Sequence, residues 1–383
     1  MTHLKPSLKP RSLRLPALGA IFLTLAACSS EKNSAPPPIP PEVMATIADH
    51  PGVNRKSLAR ATDALFTRED LGQTQALIVY HEGEIVAERY AKGYDDNSRF
   101  LGWSMSKSVV GVMIGMMIAE GRLTLDDSPP IAHWQRPGDP RGEITVRQLL
   151  QMRSGLRHQE VAEPLYRSDT VRMLLLDGRD DMAEWAEAQP LEYEPGQMFE
   201  YSTPGTVILS DTIARILAPK GTADERQQAV ARFLKARLAE PVGMDSLTAE
   251  YDASGTMIGG SMLWATARDW GRFGEFLRHG GSVKGVQIVP RGWIDFMRRP
   301  SPRAADYGAL IWLNRPTESG RNELFAEQGP ADAFAAIGHL GQYVIVSPGD
   351  KLTIVRLGNT PQNQRPALVA ALGDIVHLYS SGM

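Results

Sequence analysis

Ser104 and Lys107, in the run Ser104-Met-Ser-Lys107, are the pair on which hydrolytic chemistry could be built. A serine hydroxyl attacks poorly until a base removes its proton, and residues three apart on a helix lie on one face within reach of each other. For the lysine to be that base its pKa must fall, and burial does this because it disfavours the ammonium form. The following residues supply the burial: between Ser104 and Glu120 the chain reads Val-Val-Gly-Val-Met-Ile-Gly-Met-Met-Ile-Ala, apolar nearly all round, which predicts a helix enclosed on every side. Spacing alone is unspecific, since such a pair should arise about once by chance in a chain this long. Ser29-Ser-Glu-Lys32 matches as well. Position separates the two: Ser104 opens a buried run, whereas Ser29 stands in a polar stretch that cannot fold. The alternative for Ser104 is a helix N-cap with Lys107 at the surface.

The elements that must hold this pair come from both ends of the chain. Gln75–His81 and Glu84–Tyr90 are β-rich and joined by Glu82-Gly83, which predicts an antiparallel hairpin. Tyr343–Ser347 and Leu352–Leu357, joined by Pro348-Gly-Asp-Lys351, predict a second, and Pro366–Leu378 a closing helix. Between about 145 and 240 the patterns are helical, among them Val146–Met152 and Thr206–Leu217, broken by Gly and Pro loops. The expected fold class is therefore α+β: an antiparallel sheet flanked by helices, built from both chain ends, with a mainly helical region inserted at approximately 130–250.

In this order the motifs resemble those of the serine β-lactamase and penicillin-binding-protein superfamily, especially its class C, esterase and 6-aminohexanoate-dimer hydrolase branch. Besides Ser104-Met-Ser-Lys107, four stretches carry the resemblance, which spans roughly residues 45–380. Gln148-Leu-Leu-Gln-Met-Arg-Ser-Gly-Leu156 looks like the segment leading into the helical region. Tyr193-Glu-Pro-Gly-Gln-Met-Phe-Glu-Tyr201-Ser-Thr203 is similar to a Pro-Gly then Tyr-x-Asn element, and Met257–Asp269 to a Gly-Gly then Ala-Thr-Ala-x-Asp run. Gly338-His339-Leu-Gly341 stands where the family has a Lys-Thr-Gly triad on a core strand. The resemblance implies that Ser104 is the acylated nucleophile, Lys107 its proton acceptor and Tyr201 the relay to the leaving group. It also implies an oxyanion hole from the backbone N–H groups of Ser104 and Gln342. Lys107 is then the cation that would let Tyr201 ionise near neutrality, the two titrating as a pair. Tyr166, in the loop after Leu156, is the candidate to line the acyl site by likeness to the dimer hydrolases. The plainer alternatives are a core tyrosine for Tyr201 and a structural histidine for His339.

Two departures bear on substrate. Thr203 replaces the asparagine of Tyr-x-Asn, and His339 replaces the first lysine of the triad, so two groups that would orient a β-lactam are changed. Esters and amides are the expected small-molecule substrates, with a non-catalytic protein of the same fold, binding a cell-wall peptide or a protein partner, as the alternative.

Other chemistries find little support. The chain has 383 residues and a net charge of -3, which gives no field for nucleic acid. Gly102-Trp-Ser104-Met-Ser106 lacks the second glycine of a nucleophile elbow. His158-Gln-Glu160 is too closely spaced for a zinc pair on one helix face, and no phosphate loop is present, so no metal or cofactor is expected. The single cysteine, Cys28, excludes an internal disulfide. It follows Lys5, Lys9, Arg11, Arg14 and an apolar run from Leu15 to Ala27, the order of an export signal. Leu25-Ala-Ala-Cys28 resembles the lipobox of bacterial lipoproteins; an ordinary secretory cleavage site is the alternative. The expected organisation is a signal peptide at 1–27, a proline-rich tether at 28–41 starting with a lipidated Cys28, and a hydrolase domain at 42–383. Ser29 after the cysteine, where aspartate would retain a lipoprotein at the inner membrane, implies a periplasm-facing anchor in the outer membrane of the cell envelope.

Overall fold

Residues 73–90 fold as the sequence predicts, into an antiparallel hairpin of β1 (Gln73–His81) and β2 (Glu84–Tyr90). Its turn places Glu82 at φ 54° and Gly83 at φ 94°, the left-handed pair whose twist matches a two-residue hairpin. The computed structural model describes residues 38–326 and 328–380. Four strands from the second half of the chain complete the main sheet: β3 (Trp312–Leu313), β4 (Phe334–Gly338), β5 (Gln342–Ser347) and β6 (Leu352–Asn359). The order is β2-β1-β6-β5-β4-β3, and each neighbouring pair is antiparallel. The two chain ends meet where β1 pairs with β6, with Ile78 opposite Val355.

Consecutive strand residues point to opposite faces, yet Ala76–Tyr80 of β1 and Leu352–Gly358 of β6 are buried throughout. Both faces must therefore be covered. Helix α1 (Arg55–Thr67) packs on β1 and against the closing helix α5 (Arg365–Ser380), while α4 (Ala267–Arg278) packs on β1, β5 and β6.

Between the strands lie α2 (Ser106–Ala119) and a run of helices that includes Val146–Leu150, Asp169–Leu175, Met182–Glu187, α3 (Thr203–Leu217) and Ala223–Leu234. From Ile39 onward the chain forms one compact unit, so this helical region belongs to the same body as the sheet. Helix α2 is enclosed as expected, with every residue from Ser106 to Met117 buried. Gly115 permits this on one side: a Cβ there would lie 2.2 Å from Trp293 Nε1, which donates instead to the Gly111 carbonyl at 3.0 Å. Helix α3 begins three residues earlier than the sequence pattern indicates. Ser202 caps it by accepting from Gly205 N at 3.0 Å, and Pro204 is tolerated because a first-turn N–H has no intrahelical acceptor. The expected signal, Cys28 and most of the expected tether lie outside the described residues. No helix among the described residues is long and apolar enough to cross a membrane.

Candidate active site

Ser104 sits in the 3-10 turn Trp103–Met105 that leads into α2, one step before the α-helix proper. A small three-stranded sheet fixes this turn: Arg99–Leu101 pairs with Leu263–Thr266, which pairs with Thr248–Ala249, and Gly102 N donates to Leu263 O at 2.8 Å. Trp103 holds φ at 47°, a left-handed conformation uncommon for a bulky residue. From the other side the end of β4 presses in so closely that a Cβ on Gly338 would lie 2.3 Å from Gly102 O. The turn that carries Ser104 is thus wedged between two sheets.

Lys107 reaches back from the first turn of α2 with only 1% of its surface exposed. Its Nζ has three partners: Ser104 Oγ at 2.9 Å, Thr203 Oγ1 at 2.8 Å and the Gly260 carbonyl at 2.8 Å. The first-turn position of Thr203 in α3 and the Gly259-Gly260 pair before Leu263–Thr266 explain why those sequence stretches matter. Burial pushes the lysine down to about 8, partly opposed by the negative charge of Glu160. Serine and lysine therefore occupy the arrangement in which an amine that loses its proton near neutrality can take one from the hydroxyl.

Tyr201 lies beside them, its ring stacked on Trp312 at 5.4 Å and edge-on to Tyr307 at 5.9 Å, with Lys107 Nζ 4.9 Å from the ring centroid. Burial, reinforced by Glu160, raises its hydroxyl above the usual phenol range, and an interaction with the Ser104 hydroxyl only partly offsets this. That direction runs against the expectation of a tyrosine ionised near neutrality with the help of Lys107: burial moves the lysine toward neutrality and the phenol away from it.

His339 is not on a strand. Gly338 ends β4 and Gln342 begins β5, so His339-Leu-Gly341 is the hairpin turn between them. Leu340 at φ 61° and Gly341 at φ 80° are left-handed and cannot continue an extended strand. The exposed imidazole stands edge-on to Trp103 at 5.2 Å, and burial of part of the ring, with Arg365 nearby, pushes it below the usual imidazole range. Gln342 is 4% exposed and clamps the turn: its Nε2 donates to His339 O at 3.0 Å and Gly358 O at 2.6 Å, and its Oε1 accepts from Gly358 N at 2.9 Å. Tyr166, on the 3-10 turn Leu165–Arg167, is 61% exposed, and no hydrogen bond or ring contact ties it to the Ser104 group among the described residues.

The loop that carries Tyr166 meets the site through Glu160, a residue weighed in the sequence only as a metal ligand. One carboxylate oxygen, Oε1, accepts from Thr203 Oγ1 at 2.5 Å, and Oε2 accepts from Thr203 N at 2.8 Å and contacts His158 Nε2 at 2.6 Å. Burial alone would raise this carboxyl, but the bond to His158 and the charge of Lys107 outweigh it and hold the group at about 2. The signal that could have found it is the buried lysine itself, which calls for a nearby counter-charge. As for metals, His133, Glu184 and Glu187 offer ligand atoms within 4.8 Å of one another. Glu187 also meets Arg215 at 3.2 Å.

Comparison with known proteins identifies the family. Residues 67–377 match the Beta-lactamase family. A 6-aminohexanoate-dimer hydrolase of Paenarthrobacter ureafaciens is 26% identical, covering 78% of each chain. Among solved structures, a putative 6-aminohexanoate-dimer hydrolase from Bacillus anthracis superposes with a TM-score of 0.66 at 24% identity, over 84% of this chain and 82% of the other. A family VIII carboxylesterase follows the same fold at a TM-score of 0.56 and 16% identity, over 82% and 96%. The match over residues 67–377 places the chain in the beta-lactamase family, and with relatives that are hydrolases and a buried amine beside the Ser104 hydroxyl it is a serine hydrolase.

Proposed function

We propose that the protein cleaves a carboxylic ester or amide through an acyl-enzyme on Ser104, and that it works from the cell envelope, anchored by lipid on Cys28. The observation that carries the catalytic reading is the buried Lys107 amine 2.9 Å from Ser104 Oγ, with the Tyr201 ring 4.9 Å from the amine. In this reading neutral Lys107 takes the Ser104 proton as Oγ attacks the substrate carbonyl carbon. The carbonyl electron pair moves onto oxygen, where the amides of Ser104 and Gln342 receive it. Collapse restores the carbonyl and expels the leaving group, which takes a proton from Tyr201. The phenol regains one from the Lys107 ammonium and ends neutral. Water then repeats the sequence on the acyl-enzyme. His339 stands at the turn beside Trp103, where it can donate to a substrate oxygen.

Esters and unstrained amides are favoured over β-lactams because Thr203 is occupied by Lys107 and Glu160, and His339 offers no fixed positive charge. Each lost charge-assisted contact is worth roughly 1.5–3 kcal/mol. A fluorophosphonate probe should label the wild type and spare Ser104→Ala, and p-nitrophenyl butyrate should be hydrolysed faster than nitrocefin. Equal labelling of the two proteins would refute the acyl-enzyme reading, and a nitrocefin rate matching the ester rate would refute the substrate preference.

A further inference from the structure

We propose that Glu160 is a positioning residue of this site: acting through the Thr203 hydroxyl, its carboxylate orients the Lys107 amine onto Ser104 and fixes the charge that the amine carries at rest. This rests on the hydrolase reading above and adds to it the group that governs the base.

The hydrogen bonds run in one direction. Lys107 Nζ donates to Thr203 Oγ1 at 2.8 Å, and the Thr203 hydroxyl has one proton, which it gives to Glu160 Oε1 at 2.5 Å. That proton is then unavailable to Lys107, so Thr203 can only accept from the amine. An N–H of the lysine is thereby aimed at Thr203 and another at the Gly260 carbonyl, which leaves the remaining position of Nζ for Ser104. When the amine is neutral, that remaining position is the lone pair, and it faces the hydroxyl it must deprotonate. Without an acceptor demanding the Thr203 proton, the threonine could donate to the lysine lone pair and quench the base.

Glu160 is itself held in three ways. Thr203 N, at the start of the fifteen-residue helix α3, donates to Oε2 at 2.8 Å, where the helix dipole also favours a negative charge. Thr170 Oγ1 donates to the same oxygen at 2.8 Å. His158 Nε2 lies 2.6 Å from it, on a side chain 3% exposed. The charged and titratable groups facing this chain are these: Lys107 meets Glu160 and Tyr201; Glu160 meets Lys107, His158 and Tyr307; Tyr201 meets Tyr307 and feels Glu323 and Arg365; and behind His158 stands Glu200. His158 also lines a cavity of about 450 Å³ with Arg157, Asp169, Arg172 and Glu200.

A carboxylate two hydrogen bonds from an ammonium stabilises it, so removing the charge must make Lys107 easier to deprotonate. In Glu160→Gln the acid limb of the kcat/KM profile for p-nitrophenyl butyrate should move to lower pH by about one to two units. The plateau should fall roughly ten- to a hundredfold, since Thr203 loses its charged acceptor. Thr203→Val should lower the plateau similarly, and Thr203→Ser should restore it. The titration of Lys107 can be followed without turnover by NMR of 13Cε-labelled lysine, in wild type and Glu160→Gln. A lysine that titrates at the same pH in both folded proteins would overturn the proposal, as would a Thr203→Val enzyme with wild-type kcat/KM. Should Glu160→Gln fail to fold, Thr203→Val and Thr203→Ser decide by the same plateau comparison. If the wild type neither reacts with the fluorophosphonate nor hydrolyses the ester, the hydrolase reading fails, while the NMR shift still tests the coupling of Glu160 to Lys107.

Discussion

Lys107→Met should separate the charge of the lysine from its bulk. Methionine is apolar and nearly as long, so it can fill the cleft between α2 and α3 without a proton to lose. In the wild type the amine titrates at about 8 in the folded protein, below the ordinary 10.5, because burial disfavours the ammonium. The unfolded chain therefore binds more protons than the folded one between those two values, and stability rises with pH across that window. A difference of about 2.5 units corresponds to roughly 3 kcal/mol, a penalty fully present below pH 8 and relieved above about 10.5. The Met variant has no such group. Whatever packing it gains, and whatever it loses by leaving Gly260 O and Thr203 Oγ1 without a donor, changes little with pH. The stability gap between variant and wild type should therefore shift in favour of the wild type by roughly 3 kcal/mol from pH 7.5 to 10.5. Urea unfolding at several pH values, extrapolated to water, measures this directly. Parallel stability curves for the two proteins would show that Lys107 is not a depressed buried amine, and the base assigned to Ser104 would have to be sought elsewhere.

The same depressed lysine predicts that the wild-type kcat/KM for p-nitrophenyl butyrate climbs about tenfold per pH unit below pH 8 and then levels; a flat profile between pH 6 and 8 would contradict it. Lys107→Ala and Tyr201→Phe should each lower that rate by several orders of magnitude, on the order of 10³ or more, and the double variant should cost little beyond the worse single one, since groups acting as a unit are not additive. Gly115→Ala should destabilise the fold by roughly 1–3 kcal/mol, because its methyl would displace Trp293 from the Gly111 carbonyl, and thermal unfolding measures the loss. Cys28→Ala should release the protein from the membrane fraction or block its maturation, since each buried methylene of an attached lipid contributes about 0.8 kcal/mol; unchanged membrane fractionation would count against the anchor.

The β-rich ends and the central apolar helix were legible in the sequence because their signals are local. Glu82-Gly83 dictates its own hairpin, and the apolar run Val109–Ala119 of α2 has nowhere to go but the interior. Thr203 was legible as a departure from a motif, but its partner was not. Glu160 lies 43 residues away along the chain, and only the docking of its loop onto the N-terminus of α3 joins the two. The turn at His339 was missed for a different reason. The motif was matched as a strand element, and no residue of His339-Leu-Gly341 announces that the strand ends at Gly338 or that Leu340 joins Gly341 in left-handed backbone. Tyr166 illustrates the same weakness of register: the loop approaches the site, yet the residue that reaches it is six positions earlier.

The substitution of threonine for asparagine at 203 is intelligible once Glu160 is taken with it. An asparagine side chain could serve Lys107 through its carbonyl and a substrate through its amide at once. A threonine hydroxyl has a single proton, and here Glu160 takes it, leaving nothing to donate to a substrate. The exchange therefore turns a residue that could hold substrate into part of the support for the base. It follows that Thr203→Asn alone should not create β-lactam turnover. The larger amide would have to fit where Gly260 already approaches Thr203 so closely that a Cβ on the glycine would lie 2.9 Å from Thr203 Cγ2, and it would disrupt the bond to Glu160. Only a change that also relieves Glu160 and supplies a fixed cation at 339 would restore both lost contacts. A single Thr203→Asn enzyme hydrolysing nitrocefin as fast as p-nitrophenyl butyrate would show that Glu160 plays no part in excluding that substrate.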